Sequence, residues 1–186
     1  GIALSQNGAV LEHARTATPQ SYDDIVSACV DVVKKITPTS DRFENIGICS
    51  PGIIDRAKGM ITFSPNVAAL KDKPFAADLS AAFGVPVHLA NDAACFTLSE
   101  SMDGAGASAH NVYGVILGTG VGGALVTNKK MPSGPNGATE WGHMQLPWAE
   151  NNGADGDDVP TRCGCGRMGD IESYLAGPAL HRQLAE

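Results

Sequence analysis

The run Gly118-Thr119-Gly120-Val121-Gly122-Gly123 sets the tightest limit on what this chain can be. Apolar residues 112–117 precede it and residues 124–127 resume a strand-like pattern after it, so the glycines join two strands. A Walker loop is excluded, because no Lys-Ser/Thr ends the run. A dinucleotide fingerprint is excluded too, because that motif needs a helix after its glycines. Successive glycine N–H groups can converge on phosphate oxygens without side-chain clash, so a phosphate held by a hairpin turn is one reading and a plain glycine-rich hairpin is the other. Thr119 adds a hydroxyl donor.

A second concentration of chemistry follows in Thr161-Arg-Cys163-Gly-Cys165-Gly-Arg-Met-Gly169-Asp170-Ile-Glu172. Cys163 and Cys165, with His143 from Glu140-Trp141-Gly142-His143 and the carboxylate of Asp170, would close a tetrahedral zinc shell of the structural kind. Gly164, Gly166 and Gly169 suit a backbone wrapped around an ion. Two idle cysteines are the alternative. Cys29, Cys49 and Cys95 lie in apolar stretches, where a reduced cysteine acts as a small hydrophobe, and this usage points to the cytoplasm.

In chain order, residues 1–4 and 10–14 read as strands joined at Gln6-Asn7-Gly8, where Asn-Gly favours a primed hairpin turn. Ser21 caps a helix with Ile25, Val26, Cys29, Val32, Val33 and Ile36 on one face, stopped at Thr37-Pro38. Residues 46–49 and 60–63 read as strands. Pro74 opens a helix that Gly84 ends. Residues 85–89 form the next strand, and 93–102 a helix with Phe96, Leu98 and Met102 available for packing. Asn91 and Asp92 thus stand at a strand's carboxyl end, the usual ligand position in an open α/β sheet. Asp92 is the candidate general base for a hydroxyl proton, with Asn91 fixing the same substrate; capping of the following helix is the plainer role. Glu140 and Glu172 are candidate hydroxyl acceptors or ordinary surface acids. The small residues 104–108 suggest a boundary between domains 1–108 and 109–186, and residues 150–158 an exposed loop. A net charge of -7 speaks against a nucleic-acid partner, and no apolar run is long enough for a membrane span.

Taken in order, Ser50-Pro51-Gly52-x-x-Asp55-x-x-x-Gly59, Asn91-Asp92-Ala93, Leu117-Gly118-Thr119-Gly120-Val121-Gly122-Gly123, Glu140-Trp141-Gly142-His143 and Cys163-Gly-Cys165-Gly-x-x-Gly169-x-x-Glu172 resemble the ROK family of sugar kinases and sugar-responsive repressors. The resemblance implies the actin-like, ribonuclease-H-like ATPase fold: two α/β domains, the second incomplete here, closing over ATP and sugar, in a homodimer. It implies Asp92 as general base on the 6-hydroxyl of a hexose or hexosamine. Gly52, Asn91, Glu140, His143 and Glu172 would hold the sugar, Gly118, Thr119, Gly120, Val121, Gly122 and Gly123 would face ATP, and Mg²⁺ would bridge the phosphates. N-acetyl-D-glucosamine is the expected substrate. Fructose or glucose, or sugar sensing in a repressor, are the alternatives. The family carries three cysteines and one histidine on its structural Zn²⁺, and Asp170 stands here in the third cysteine's place. Thr139 replaces the family's glycine before Glu140. The chain begins past the family's Asp-x-Gly-Gly-Thr phosphate loop and stops short of its last helices, so it reads as a fragment, expected not to turn over ATP by itself.

Overall fold

The computed structural model describes residues 1–37, 43–55, 58–64, 66–132, 138–146, 162–163 and 165–184, with the backbone alone at Ala138 and Thr139. The expected helix stop at Pro38, the 150–158 loop, Pro147, Trp148, Thr161 and Gly164 lie outside them. The chain forms two compact units, Gly1–Ala90 and Asn91–Glu186.

In the first unit, β1 (Ile2–Leu4) and β2 (Val10–His13) pair antiparallel, with Ile2 opposite His13 and Leu4 opposite Val10. The hairpin is as expected, but its turn is not of the primed kind. Gly8 alone has a left-handed φ, 82°, and Ser5 receives the Gly8 N–H at 2.9 Å. Too many residues separate Leu4 from Val10 for a two-residue loop, so glycine takes the left-handed place after an ordinary turn. The helix α1 (Tyr22–Ile36) begins where Ser21 Oγ accepts the Asp24 N–H at 3.2 Å. Asp23 and Asp24 in its first turn and Lys34 and Lys35 in its last complement the helix dipole.

β3 (Ile46–Ser50) pairs with β6 (Val87–Asn91), and β4 (Ile53–Asp55) pairs antiparallel with β5 (Met60–Phe63). β4 is a strand additional to those read from the sequence. β6 begins at Val87 rather than Val85, since Pro86 offers only its carbonyl, to Ile46 N–H at 2.9 Å. The helix α2 (Phe75–Phe83) ends at Gly84, φ 71°. Ile25, Ile54, Ile61, Leu70, Phe75, Leu79, Val87 and Leu89 form this unit's core.

In the second unit, α3 (Asp92–Met102) packs on the sheet of β7 (Asn111–Leu117), β8 (Val121–Thr127) and β9 (Ala138–Thr139), antiparallel in that order. The primed geometry occurs here: Asn128 and Lys129 have φ of 52° and 58°, while Thr127 and Lys130 exchange two hydrogen bonds of 3.0 Å. α3 does not pack through the residues expected. Phe96 and Met102 are 42% and 52% exposed, and the buried face is Ala93, Ala94, Thr97 and Ser101. Small residues let the helix lie close to the sheet. At Gly114 a Cβ would stand 2.0 Å from Thr97 Oγ1. Residues 104–108 lie within this unit and fold back on α3: Gly106 N–H donates to Glu100 O at 3.0 Å and Ala105 N–H to Glu100 Oε2 at 2.8 Å. They form a turn, and the compact units divide at 90/91 instead. After residue 170 come α4 (Glu172–Leu175) and α5 (Gly177–Leu184).

The Gly114–Thr97 contact yields a test. Gly114→Ala should destabilise the protein by about 1–3 kcal/mol through overpacking, read as a lowered urea midpoint. Adding Thr97→Ala should recover part of the loss; an additive pair would refute the close contact.

Candidate active site and metal centre

The end of β6 delivers Asn91 to the start of α3. Its carboxamide oxygen accepts the N–H groups of Ala93 at 2.9 Å and Ala94 at 3.3 Å, so Asn91 is the N-cap. The capping role weighed for Asp92 therefore belongs to its neighbour. Asp92 is exposed on the first helical turn, with Oδ1 2.9 Å from the Ala93 nitrogen. Glu140 enters from β9, at the head of a short 3-10 helix, Trp141–His143. Burial raises the Glu140 carboxyl above the ordinary range, His143 opposes this, and the charges of Asp92 and Glu172 add to it. Asp92, Glu140, His143 and Glu172 thus stand within electrostatic reach of one another. Gly52 belongs to the first unit, at φ 96°, and a Cβ there would meet Phe63 O at 1.9 Å, so the strand pairing alone requires glycine.

The cysteine turn is a tight hairpin. Arg162 pairs with Met168, the Cys163 N–H donates to Arg167 O at 2.8 Å, and Gly166 and Gly169 take φ of 93° and 74°. Its side chains converge as expected. His143 Nδ1 lies 3.4 Å from Cys163 Sγ and 3.7 Å from Asp170 Oδ2, Cys165 Sγ lies 3.0 Å from Asp170 Oδ2, and all four ligand atoms fall within 4.8 Å of one another. A tetrahedral zinc shell with bonds of about 2.0–2.3 Å has edges of about 3.3–3.8 Å, close to these separations. Asp170 is 0% exposed and its Oδ1 has no hydrogen-bond partner. A buried carboxylate with an orphaned oxygen is costly without a cation, and Arg167, exposed, approaches only to 3.7 Å. Burial pushes the Cys163 thiol up to about 12, so a bound cation would have to displace its proton. The residues fit the metal: His143 through Nδ1, Cys163, Cys165 and Asp170 would hold it. His143 Nε2 faces the other way, 4.0 Å from Glu140 Oε2.

The glycine run is indeed a hairpin turn, with Leu117 paired to Val121 across it. Only Gly118, Thr119 and Gly120 form the bend. Gly122 and Gly123 belong to β8, opposite Ile116 and Val115. At Gly123 a Cβ would meet Gly114 O at 2.7 Å and Trp141 Nε1 at 2.8 Å, so that glycine serves packing. The Gly118 N–H donates to Gly120 O at 2.9 Å and the Gly177 N–H to Gly118 O at 2.7 Å. Glu172 Oε2 accepts the Val121 N–H at 2.9 Å, and Glu172 Oε1 lies 3.5 Å from Cys163 Sγ.

Sequence reasoning missed the parts played by Gly142 and Gly177. A Cβ at Gly142 would stand 2.2 Å from Val121 O, so this glycine lets the loop bearing Glu140 and His143 lie on the start of β8. Gly177 precedes Pro178 and looks like a helix punctuator; nothing local signals its bond to Gly118.

The sequence profile described as the ROK family matches residues 1–186. N-acetyl-D-glucosamine kinases of Pectobacterium atrosepticum and Citrobacter koseri are 40% and 42% identical over 166 residues, 88% of this chain and 54% of each relative. The chain thus spans about half the length of these curated relatives. A ROK family glucokinase from Streptomyces griseus, solved with glucose and AMPPNP, superposes with a TM-score of 0.79 at 29% identity, over 96% of this chain and 54% of that one. A ROK family transcriptional regulator homologous to the E. coli MLC protein superposes at 0.81 with 23% identity, over 99% and 45%, a likeness of fold alone. Ordered motifs, α/β architecture and these matches agree: the chain has the actin-like ATPase fold and belongs to the ROK family.

Proposed function

We infer that the chain is part of an ATP-dependent sugar kinase acting on the 6-hydroxyl of a hexosamine, N-acetyl-D-glucosamine first. One observation carries the reading. A single imidazole, His143, faces Glu140 through Nε2 and the Cys163–Cys165–Asp170 group through Nδ1. A metal-braced turn would therefore aim the side chains that hold a polyol, and the 40–42% identity to N-acetyl-D-glucosamine kinases supports that sugar.

In this mechanism Asp92 accepts the proton of the 6-hydroxyl as that oxygen attacks the γ-phosphorus and ADP departs. Its exposure on the first turn of α3 suits a group that must reach substrate, and the helix N-terminus favours its charge. Asn91, committed to the cap, fixes the backbone that aims it. Glu140, half-buried beside His143, would accept from ring hydroxyls. Thr119, exposed at the apex of the hairpin, and Gly120 offer N–H groups to nucleotide phosphates. Mg²⁺ would supply charge neutralisation on those phosphates. No helix among the described residues is long and apolar enough to cross a membrane.

With the full-length protein, N-acetylglucosamine should be phosphorylated in preference to N-acetylmannosamine, glucose and fructose. Equal turnover of all four would defeat the hexosamine assignment, and sugar binding without phosphoryl transfer would place the protein with the regulators. Asp92→Asn should lower kcat by about 10²–10⁴-fold while sugar affinity stays within a few-fold. A small kcat loss would remove Asp92 from the proton transfer.

Zinc is the proposed metal, held less tightly with Asp170 than with a third thiolate, because a carboxylate is the harder donor. Elemental analysis of the full-length protein should find about one zinc per chain. Asp170→Cys should make the metal harder to strip with a chelator. Absence of zinc, with sugar binding indifferent to chelators, would refute the site.

A further inference from the structure

The Glu172 carboxylate makes two contacts that a sugar-holding role does not require. Oε2 accepts the Val121 N–H at 2.9 Å, at the point where the glycine bend becomes β8, and Oε1 lies 3.5 Å from Cys163 Sγ. The fit is close: a Cβ on Gly120 would be 2.6 Å from Glu172 Oε2. Glu172 is in turn fixed by the cysteine hairpin. The Ile171 N–H donates to Met144 O at 3.0 Å and the Leu146 N–H to Gly169 O at 3.3 Å, while Asp170 O accepts both the Ser173 N–H, at 2.9 Å, and Ser173 Oγ, at 2.6 Å. The main chain of Asp170 thus continues directly into the turn that carries Glu172, and the segment that follows His143 is hydrogen-bonded to that turn at Met144 and Leu146. His143, Cys163 and Asp170 flank or touch that turn, so any ion they share would stiffen it.

We propose that Glu172 is a positioning residue that clamps the Gly118-Thr119-Gly120 bend to the metal turn, so that metal loading sets nucleotide affinity. This rests on the reading of the bend as the nucleotide hairpin. A buried or half-buried N–H accepted by a carboxylate is a strong link, and a neutral carboxamide oxygen at the same place retains the acceptor. Glu172→Gln should therefore keep the clamp, whereas Glu172→Ala abolishes it. Gly120→Ala attacks it from the opposite side by displacing Oε2.

The experiment uses the full-length protein, without sugar, and measures hydrogen exchange at the Val121 amide and affinity for a non-hydrolysable ATP analogue, before and after chelation. Glu172→Ala should speed the exchange and weaken the analogue by about tenfold each, the loss of one charge-assisted hydrogen bond. Chelation should weaken the analogue in the wild type and add nothing in Glu172→Ala. Glu172→Gln should leave exchange and nucleotide affinity near wild type while raising KM for the sugar. Should Glu172→Ala not fold, Gly120→Ala supplies the same two readouts. Unaltered exchange in these variants overturns the clamp, and an equal effect of chelation in wild type and Glu172→Ala overturns the coupling. A wild-type protein with no affinity for the analogue sinks the nucleotide reading alone, because amide exchange still decides the clamp.

Discussion

Both backbone groups of Val121 are approached from outside the hairpin, and the second unit is arranged around that fact. Its N–H is taken by Glu172, its carbonyl is roofed by Gly142, and its side chain is buried. An unsatisfied buried N–H costs about 1–3 kcal/mol, so Glu172 cannot leave without a replacement. Two segments distant in sequence, 140–143 and 169–172, are thereby held on the same residue. The glycines at 120 and 142 follow from this crowding. At Gly142 a Cβ would strike the Val121 carbonyl, and at Gly120 it would displace the Glu172 carboxylate.

Much of this architecture could be read from residues alone where the physics is local. The Ser21 cap, the Gly84 stop, the β7–β8 hairpin and the candidate ligand group His143, Cys163, Cys165 and Asp170 follow rules of capping, left-handed backbone and donor chemistry. Reading failed where size or distance decided. On α3 the buried stripe is Ala93, Ala94, Thr97 and Ser101, a helical spacing drawn in small residues, and attention to large apolar side chains selects the wrong face. Asn-Gly at 7–8 and Asn-Lys at 128–129 show the same limit. The better turn dipeptide sits in the longer loop, and the poorer one adopts the primed geometry because Thr127 and Lys130 leave room for only two residues between them. The contacts of Glu172 with Val121 and of Gly177 with Gly118 span the unit and have no local signature.

Asp170 occupies a position whose backbone does as much as its side chain. Its carbonyl receives two donors from Ser173 and so starts α4, and it bridges to Gln145. These bonds are indifferent to whether a thiol or a carboxyl hangs from the same Cα. Exchanging sulfur for oxygen therefore changes the donor set while leaving the frame that carries Glu172 in place.

The carboxylates of the candidate site differ in environment more than in chemistry. Asp92 lies in the open at a helix N-terminus, where negative charge is favoured and reach is free. Glu140 is half-buried and shifted toward its neutral form, with Asp92 and Glu172 both raising the cost of a further negative charge. Glu172 has one oxygen spoken for by Val121. Phosphoryl transfer asks for position and charge neutralisation more than for a strong base. On the proposed reading, a carboxylate that is exposed and held on a capped helix meets that demand better than a buried one would, which favours Asp92 among the three.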